Sequence, residues 1–171
     1  WRPCLSGLVV VLTVLSARAG DSWQTYYAAF GKLLVTNFVA APFPHPARAE
    51  GHKYHDQFFS AKDHYSDRTV AIFIPKNFRA TDKVDFVIHF HGLNHTVAGT
   101  LSEYKLIEPV AGSGRNAILI VPQGPYDAPD SFGGKLEDTN GFARFMAEAV
   151  TTLRTSGALA ETNFGIGSII L

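Results

Sequence analysis

The chain has 171 residues, of which 46% are hydrophobic and 18% charged. This composition is typical of one globular domain and excludes a fibrous or disordered chain. Fifteen basic residues balance fifteen acidic residues, and no block of like charge interrupts the sequence, so we expect no nucleic-acid partner.

Residues 1–19 have the pattern of a secretory signal peptide. Arg2 supplies a short basic region, an apolar run follows from Leu5 to Leu15, and Ala17 and Ala19 are small residues at the positions that signal peptidase reads. The run is shorter than the roughly 20 residues that span a bilayer. We therefore expect cleavage before Gly20 and a secreted or periplasmic protein with no stable membrane anchor. The alternative is a buried N-terminal helix.

Residues 20–65 are expected to form an irregular N-terminal segment. Aromatic and apolar residues between Trp23 and Leu34 suggest one face of a helix, although Gly31 weakens that pattern. The proline-rich stretch 41–46 is predicted to be extended, because each proline disfavours helix at the residue before it. An outer strand is predicted over residues 54–60.

From residue 66 onward the pattern becomes regular. The alternation of Val70, Ile72 and Ile74 predicts a strand over 68–75 that ends at Pro75. Further strands are predicted at 84–91, 117–121 and 166–171, and helices at 100–110 and 142–153. Because strands and helices alternate with short connections, we expect an α/β fold in which a mostly parallel sheet carries helices on both faces.

The strand predicted at 84–91 ends in the sequence His89-Phe90-His91-Gly92-Leu93-Asn94. In open α/β sheets, ligands bind in the loops that follow the carboxyl ends of the strands. Gly92 would let the backbone turn tightly, so that the Leu93 amide points into the crevice above the sheet. A backbone N–H in that position can stabilise a developing oxyanion.

A strand that ends in His91-Gly92, then a helix, then a strand that ends in Pro122-Gln123-Gly124, is similar to secreted α/β-hydrolases. The resemblance is nearest to the polyhydroxybutyrate-depolymerase and feruloyl-esterase-like group. It covers residues 66–171 and implies the N-terminal half of such a domain. His91 and Gly92 would shape the oxyanion loop, and Leu93 would supply one oxyanion amide.

The same resemblance implies that a Gly-x-Ser-x-Gly nucleophile elbow follows the strand at 166–171, with the acidic residue and the histidine of the triad after it. None of these is present, and Ser168 lacks the flanking glycines of the elbow. We therefore expect a secreted serine hydrolase that acts on a small or polymeric carboxylic ester, and we expect this chain to be inactive by itself. We expect Asn94, Gln123 and Asp127 to contact the substrate, and no organic cofactor is implied.

Two other functions are consistent with the sequence. His89 and His91 are spaced to point the same way from a strand and, with His95, suggest a metal-dependent hydrolase whose third ligand lies elsewhere. The third possibility is a non-catalytic binding module on the same fold. The histidines are also compatible with a purely structural role at the strand end, and Asp127 with a polar turn.

Overall fold

The structure is a computed structural model that describes residues 25–171, so the predicted signal peptide at 1–19 lies outside the described residues. No helix in the described range is long and apolar enough to cross a membrane. The strands are β1 (Gly31–Asn37), β2 (His52–Tyr54), β3 (Gln57–Phe59), β4 (Thr69–Pro75), β5 (Lys83–Ile88), β6 (Ala117–Pro122) and β7 (Gly165–Ile170). The helices are α1 (Ala61–His64), α2 (Val97–Glu103), α3 (Ile107–Gly112) and α4 (Gly141–Thr155), with 3-10 turns at Pro46–Arg48 and Gly134–Leu136.

Five strands form one sheet in the order β1-β4-β6-β5-β7. The pairings of β6 with β5 and of β5 with β7 are parallel, whereas β1 with β4 and β4 with β6 are antiparallel. The α/β class is confirmed, but the sheet is mixed rather than mostly parallel. The alternating pattern of strand and helix that predicted parallel strands extends only from β5 to β7, and β1 and β4 precede it.

Helices cover both faces of the sheet, as expected. Phe145, Ala149 and Leu153 of α4 pack on one face, and Val97, Leu101 and Ile107 of α2 and α3 pack on the other. All six residues of β6 are buried, because this strand lies between the two layers. A continuous apolar strand is the pattern that burial on both faces demands.

The helix predicted over 100–110 is two helices. Thr96 caps α2 by accepting a hydrogen bond from the Gly99 amide at 3.0 Å, so α2 begins earlier than the apolar pattern indicates. The chain then breaks at Lys105, which has a left-handed φ of 48°. Pro109 has no N–H for the Lys105 carbonyl, and its ring would clash with that carbonyl in a continuous helix.

The segment expected to be irregular contributes a strand to the main sheet. β1 pairs with β4 over seven positions and replaces the C-terminal part of the helix expected between residues 23 and 34. A side chain at Gly31 would lie 2.1 Å from the Ile74 carbonyl oxygen, so glycine permits the close approach of the two strands. The strand expected at 54–60 is a hairpin of β2 and β3 that turns at His55, where φ is 51°.

Strand β7 carries a bulge that a side chain from β5 holds in place. The register between β5 and β7 shifts between Val84 and Phe86, and the carboxylate of Asp85 accepts a hydrogen bond from the Ser168 amide at 2.6 Å. A side chain at Gly167 would meet that carboxylate at 2.3 Å. Among the described residues β7 is an edge strand, and Ile166, Ile169 and Ile170 are exposed, so its apolar sequence does not reflect burial here.

We expect Asp85→Ala to lower the free energy of unfolding by about 1–2 kcal/mol, because the Ser168 amide loses a charged acceptor. Asp85→Asn keeps an acceptor oxygen and should lose less. Urea denaturation of the two variants and the wild type measures the difference. Equal midpoints for all three proteins would show that the bulge does not depend on this carboxylate.

Candidate functional site

A cavity of about 450 Å³ lies where the carboxyl ends of the three parallel strands meet. Phe90 and His91 follow β5, Gly124 follows β6, and Leu171 follows β7. The opposite wall comes from the segment around residue 42, from the loop that leads into α4 and from the start of α4. Its apolar members are Pro42, Phe132, Gly133, Leu136 and Phe142, and its polar members are Asp130, Ser131 and Glu137. The cavity is therefore mainly apolar and stands at the edge of the sheet where the sequence predicted a site.

His91 is the polar residue that joins the loops after β5 and β6. Its Nε2 accepts a hydrogen bond from the Gly124 amide at 2.8 Å, and its Nδ1 lies 2.9 Å from the Gly92 carbonyl oxygen. Because a backbone N–H only donates, Nε2 must be unprotonated and the ring proton must be on Nδ1. Burial lowers the pKa of His91 and outweighs the opposing effect of the hydrogen bond to Gly92, while His95 and His89 lower the pKa further. The ring is therefore neutral near pH 7.

Gly92 and Leu93 lie just beyond the cavity lining and are exposed. The left-handed residue that turns the chain is Asn94, with a φ of 56° and its amide bonded to the Ala128 carbonyl at 3.0 Å. The turn expected at Gly92 therefore comes two residues later. The Leu93 N–H donates to none of the residues between 25 and 171, so it is available to a ligand at the end of β5.

The three residues predicted to contact substrate separate in the structure. Asn94 and Asp127 line a different cavity beside the β2–β3 hairpin. Asp127 also has a left-handed φ, of 44°, and its amide donates to the His95 carbonyl at 3.1 Å. Gln123 is only 1% exposed and bonds to protein groups through both ends of its side chain. It therefore lies beneath the cavity rather than on its surface.

His89 does not act together with His91. The ring of His89 lies edge-on to Tyr104, with centroids 6.3 Å apart, and its Nε2 is buried without a hydrogen-bond partner in the described part of the chain. Burial lowers the pKa of His89. His95 bonds instead to the Tyr104 hydroxyl at 2.7 Å. Because both ring nitrogens of His91 are occupied, and residues 25–171 contain no group of three potential metal ligands, this geometry does not favour the metal site.

A partly buried ion pair supports the outer wall of the cavity. Arg48 donates through Nε and Nη2 to the Asp130 carboxylate at 2.7 and 3.2 Å, and its guanidinium lies 4.8 Å from the Phe132 ring centroid. Burial by itself raises the pKa of Asp130, but hydrogen bonds from Arg48 and the Phe132 amide, together with the charge of Arg48, bring it below the ordinary value. The carboxylate is therefore ionised.

The sequence did not indicate Arg48 or Phe132 as parts of the site. Arg48 and Asp130 are 82 positions apart, so no local pattern links them. Phe132 gives a weak signal, because it is a large aromatic residue within a loop rich in glycine, proline and aspartate. The strand predicted at 84–91 ends at Ile88, and Phe90 lies beyond it, partly exposed in the cavity.

Comparisons with protein-family models, with curated proteins and with solved structures found no match to this chain. The site combines an apolar cavity, a neutral imidazole at its edge and an available backbone N–H at Leu93. This combination can hold an apolar group and place a polar atom of the ligand near an amide donor.

We expect His91 to make stability depend on pH. The pKa of His91 in the folded protein is below the unfolded value of about 6.5. The contribution of His91 to the free energy of unfolding is therefore complete above about pH 6.5, and it is lost as the pH falls through the folded pKa. Urea denaturation between pH 7 and pH 5 measures the slope. His91→Gln should make the slope shallower, with His89 accounting for part of what remains. An unchanged slope would contradict this assignment.

We expect Arg48→Met to lower the free energy of unfolding by about 3 kcal/mol, because the Asp130 carboxylate then remains buried without its partner. The double variant Arg48→Met/Asp130→Leu should recover most of that loss by removing the unpaired charge. Chemical denaturation of both single variants and the double variant gives the coupling. Additive losses would indicate that the two side chains do not act as a pair.

Proposed function

We propose that this chain is the N-terminal half of a secreted or periplasmic serine hydrolase with an α/β-hydrolase fold, which cleaves a carboxylic ester by acyl transfer to a serine. The observation that carries the proposal is the convergence of β5, β6 and β7 on one apolar cavity lined by His91, two residues before Leu93. An acyl-transfer site requires this juxtaposition of a strand exit and an amide donor.

The order of elements in the sheet supports the proposal. Among the five strands of the sheet, β5 is the third in chain order, and α/β-hydrolases take one oxyanion amide from the loop that follows the third strand and precedes a helix. The segment His91-Gly92-Leu93 occupies that position, between β5 and α2. Leu171 lines the cavity, so a serine placed shortly after β7 would enter at the cavity mouth.

The lining of the cavity suggests how an ester would bind. Phe90, Phe132 and Phe142 offer aromatic surface to the apolar part of the ester. Its carbonyl would then lie toward the exit of β5, within reach of the Leu93 N–H. In this mechanism the serine hydroxyl gives its proton to the histidine of the triad as its oxygen attacks the carbonyl carbon, and the negative charge that develops on the carbonyl oxygen is stabilised by Leu93 and by the amide after the serine. The histidine returns the proton to the departing alkoxide, which leaves as the alcohol, and water then hydrolyses the acyl-serine to the acid.

The first test is the coding sequence that follows Leu171, in which we expect Gly-x-Ser-x-Gly within a few codons. The full-length product should hydrolyse p-nitrophenyl esters. Leu93→Pro removes the N–H and should lower kcat by about 100-fold or more with little effect on KM. Leu93→Ala keeps the N–H and serves as the matched control.

Circular dichroism and thermal melting of both variants would show whether Leu93→Pro retains the fold. An elbow without its serine would favour the non-catalytic binding module, and activity that chelators abolish and zinc restores would favour the metal-dependent hydrolase. Equal kcat for a folded Leu93→Pro variant and the wild type would exclude Leu93 as the oxyanion donor.

A further inference from the structure

Gln123 is one of only two fully buried polar side chains in the described range, and its environment fixes the orientation of its amide. The side chain lies directly after β6, and its Oε1 accepts a hydrogen bond from the Val97 N–H at 2.9 Å. Because Val97 only donates at this position, the atom that faces it must be oxygen. The amide nitrogen of Gln123 therefore points the other way, toward His91.

This orientation agrees with the His91 tautomer that the Gly124 N–H requires, and it adds a second donor to the same ring nitrogen. The Gln123 Nε2 lies 2.8 Å from the His91 Nε2, where the Gly124 N–H also donates at 2.8 Å. Two donors that face one ring nitrogen leave it no proton of its own. The proton is then on Nδ1, where it is donated to the Gly92 carbonyl oxygen at 2.9 Å.

The Gly92 carbonyl belongs to the same planar peptide group as the Leu93 N–H. This peptide is trans, so its carbonyl and its N–H point in opposite directions, and a hydrogen bond that holds one of them fixes the direction of the other. Donation to the carbonyl oxygen also polarises the peptide group and makes its N–H a stronger donor. The direction of the Leu93 N–H therefore depends on His91, and through His91 on Gln123.

We propose that Gln123 is a positioning residue that holds His91 as the Nδ1–H tautomer and thereby aims the Leu93 N–H at the bound ester. The catalytic part of this inference rests on the proposed function, whereas the tautomer and the direction of the amide do not. We call this series of contacts, from Val97 through Gln123 and His91 to Leu93, the positioning relay. It starts at the first residue of α2 and joins the loops that follow β5 and β6.

The decisive variant is Gln123→Glu in the full-length protein. The carboxylate still accepts from Val97 but places an acceptor against the His91 Nε2 in place of a donor. Because a charge-assisted hydrogen bond is roughly twice as strong as the neutral bond from the Gly124 N–H, the ring should gain a proton on Nε2 to meet the carboxylate. The matched control is Asn116→Asp at the opposite end of β6. Asn116 also bonds through both ends of its amide, to the Arg79 backbone at 2.8 Å each, and its change should leave His91 unaffected.

Ring ¹⁵N spectra of histidine-labelled protein and backbone amide spectra provide the readout. We expect the wild type to show Nδ1–H, and we expect Gln123→Glu alone to protonate Nε2 and shift the Leu93 amide resonance. In turnover, Gln123→Glu should lower kcat by about 10- to 100-fold with a smaller change in KM, whereas Asn116→Asp should retain the wild-type kcat.

A wild-type His91 protonated on Nε2 would overturn the inference. So would a Gln123→Glu variant that loses stability without changing the His91 ring or the Leu93 amide. If both spectra change as expected in a protein that cleaves no ester, the positioning relay stands and the proposed function fails. If the protein is active and Gln123→Glu leaves kcat unchanged, the proposed function stands and the positioning role fails.

Discussion

The parallel pairing of β6 with β5 is the constraint on which the rest of the molecule depends. Every residue of β6 is buried, so both faces of this strand must be covered, by α4 on one side and by α2 and α3 on the other. Helices that return the chain to the start of a parallel strand supply that cover. They also place the loops after β5, β6 and β7 at one edge of the sheet, and the apolar cavity forms between these loops.

A polar residue at such an edge must satisfy its hydrogen bonds internally. Gln123 does so with Val97 and His91, in agreement with the rule that buried polar groups find partners. The contacts that satisfy the hydrogen bonds of Gln123 are therefore also the contacts on which its proposed positioning role depends. The side chain fills the gap between the start of α2 and the exit of β6, and it bonds to His91 in the loop that leads to Leu93.

Features that depend on local periodicity were predicted from the sequence. The spacing of Phe145, Ala149 and Leu153 identifies α4, and the alternation in β4 identifies a strand. The break at Lys105 was missed because it depends on Pro109 and on one left-handed residue rather than on the apolar pattern. β1 was missed because its strand character follows from pairing with β4.

The candidate site was predicted only where it depends on the order of strands and helices. The position of His91-Gly92-Leu93 at a strand exit follows from the order of elements, and the structure places His91 in the cavity lining and the other two residues outside it. The roles of Gln123 and Asn94 depend on what surrounds them in three dimensions, so residue type alone suggested substrate contact for both. The ion pair of Arg48 and Asp130 was not predicted, because it joins distant parts of the chain.

The wall of the cavity has a consequence for folding. Because Arg48 and Asp130 are 82 positions apart, the cavity closes only after a long stretch of chain has returned on itself, at an entropic cost that local helices do not carry. A nascent chain therefore has no closed cavity until Phe132 and Phe142 have been synthesised and have docked. A small apolar molecule that occupies the cavity would bind only the folded chain and not the unfolded one. It would therefore act as a pharmacological chaperone, and the melting temperature would rise with its concentration.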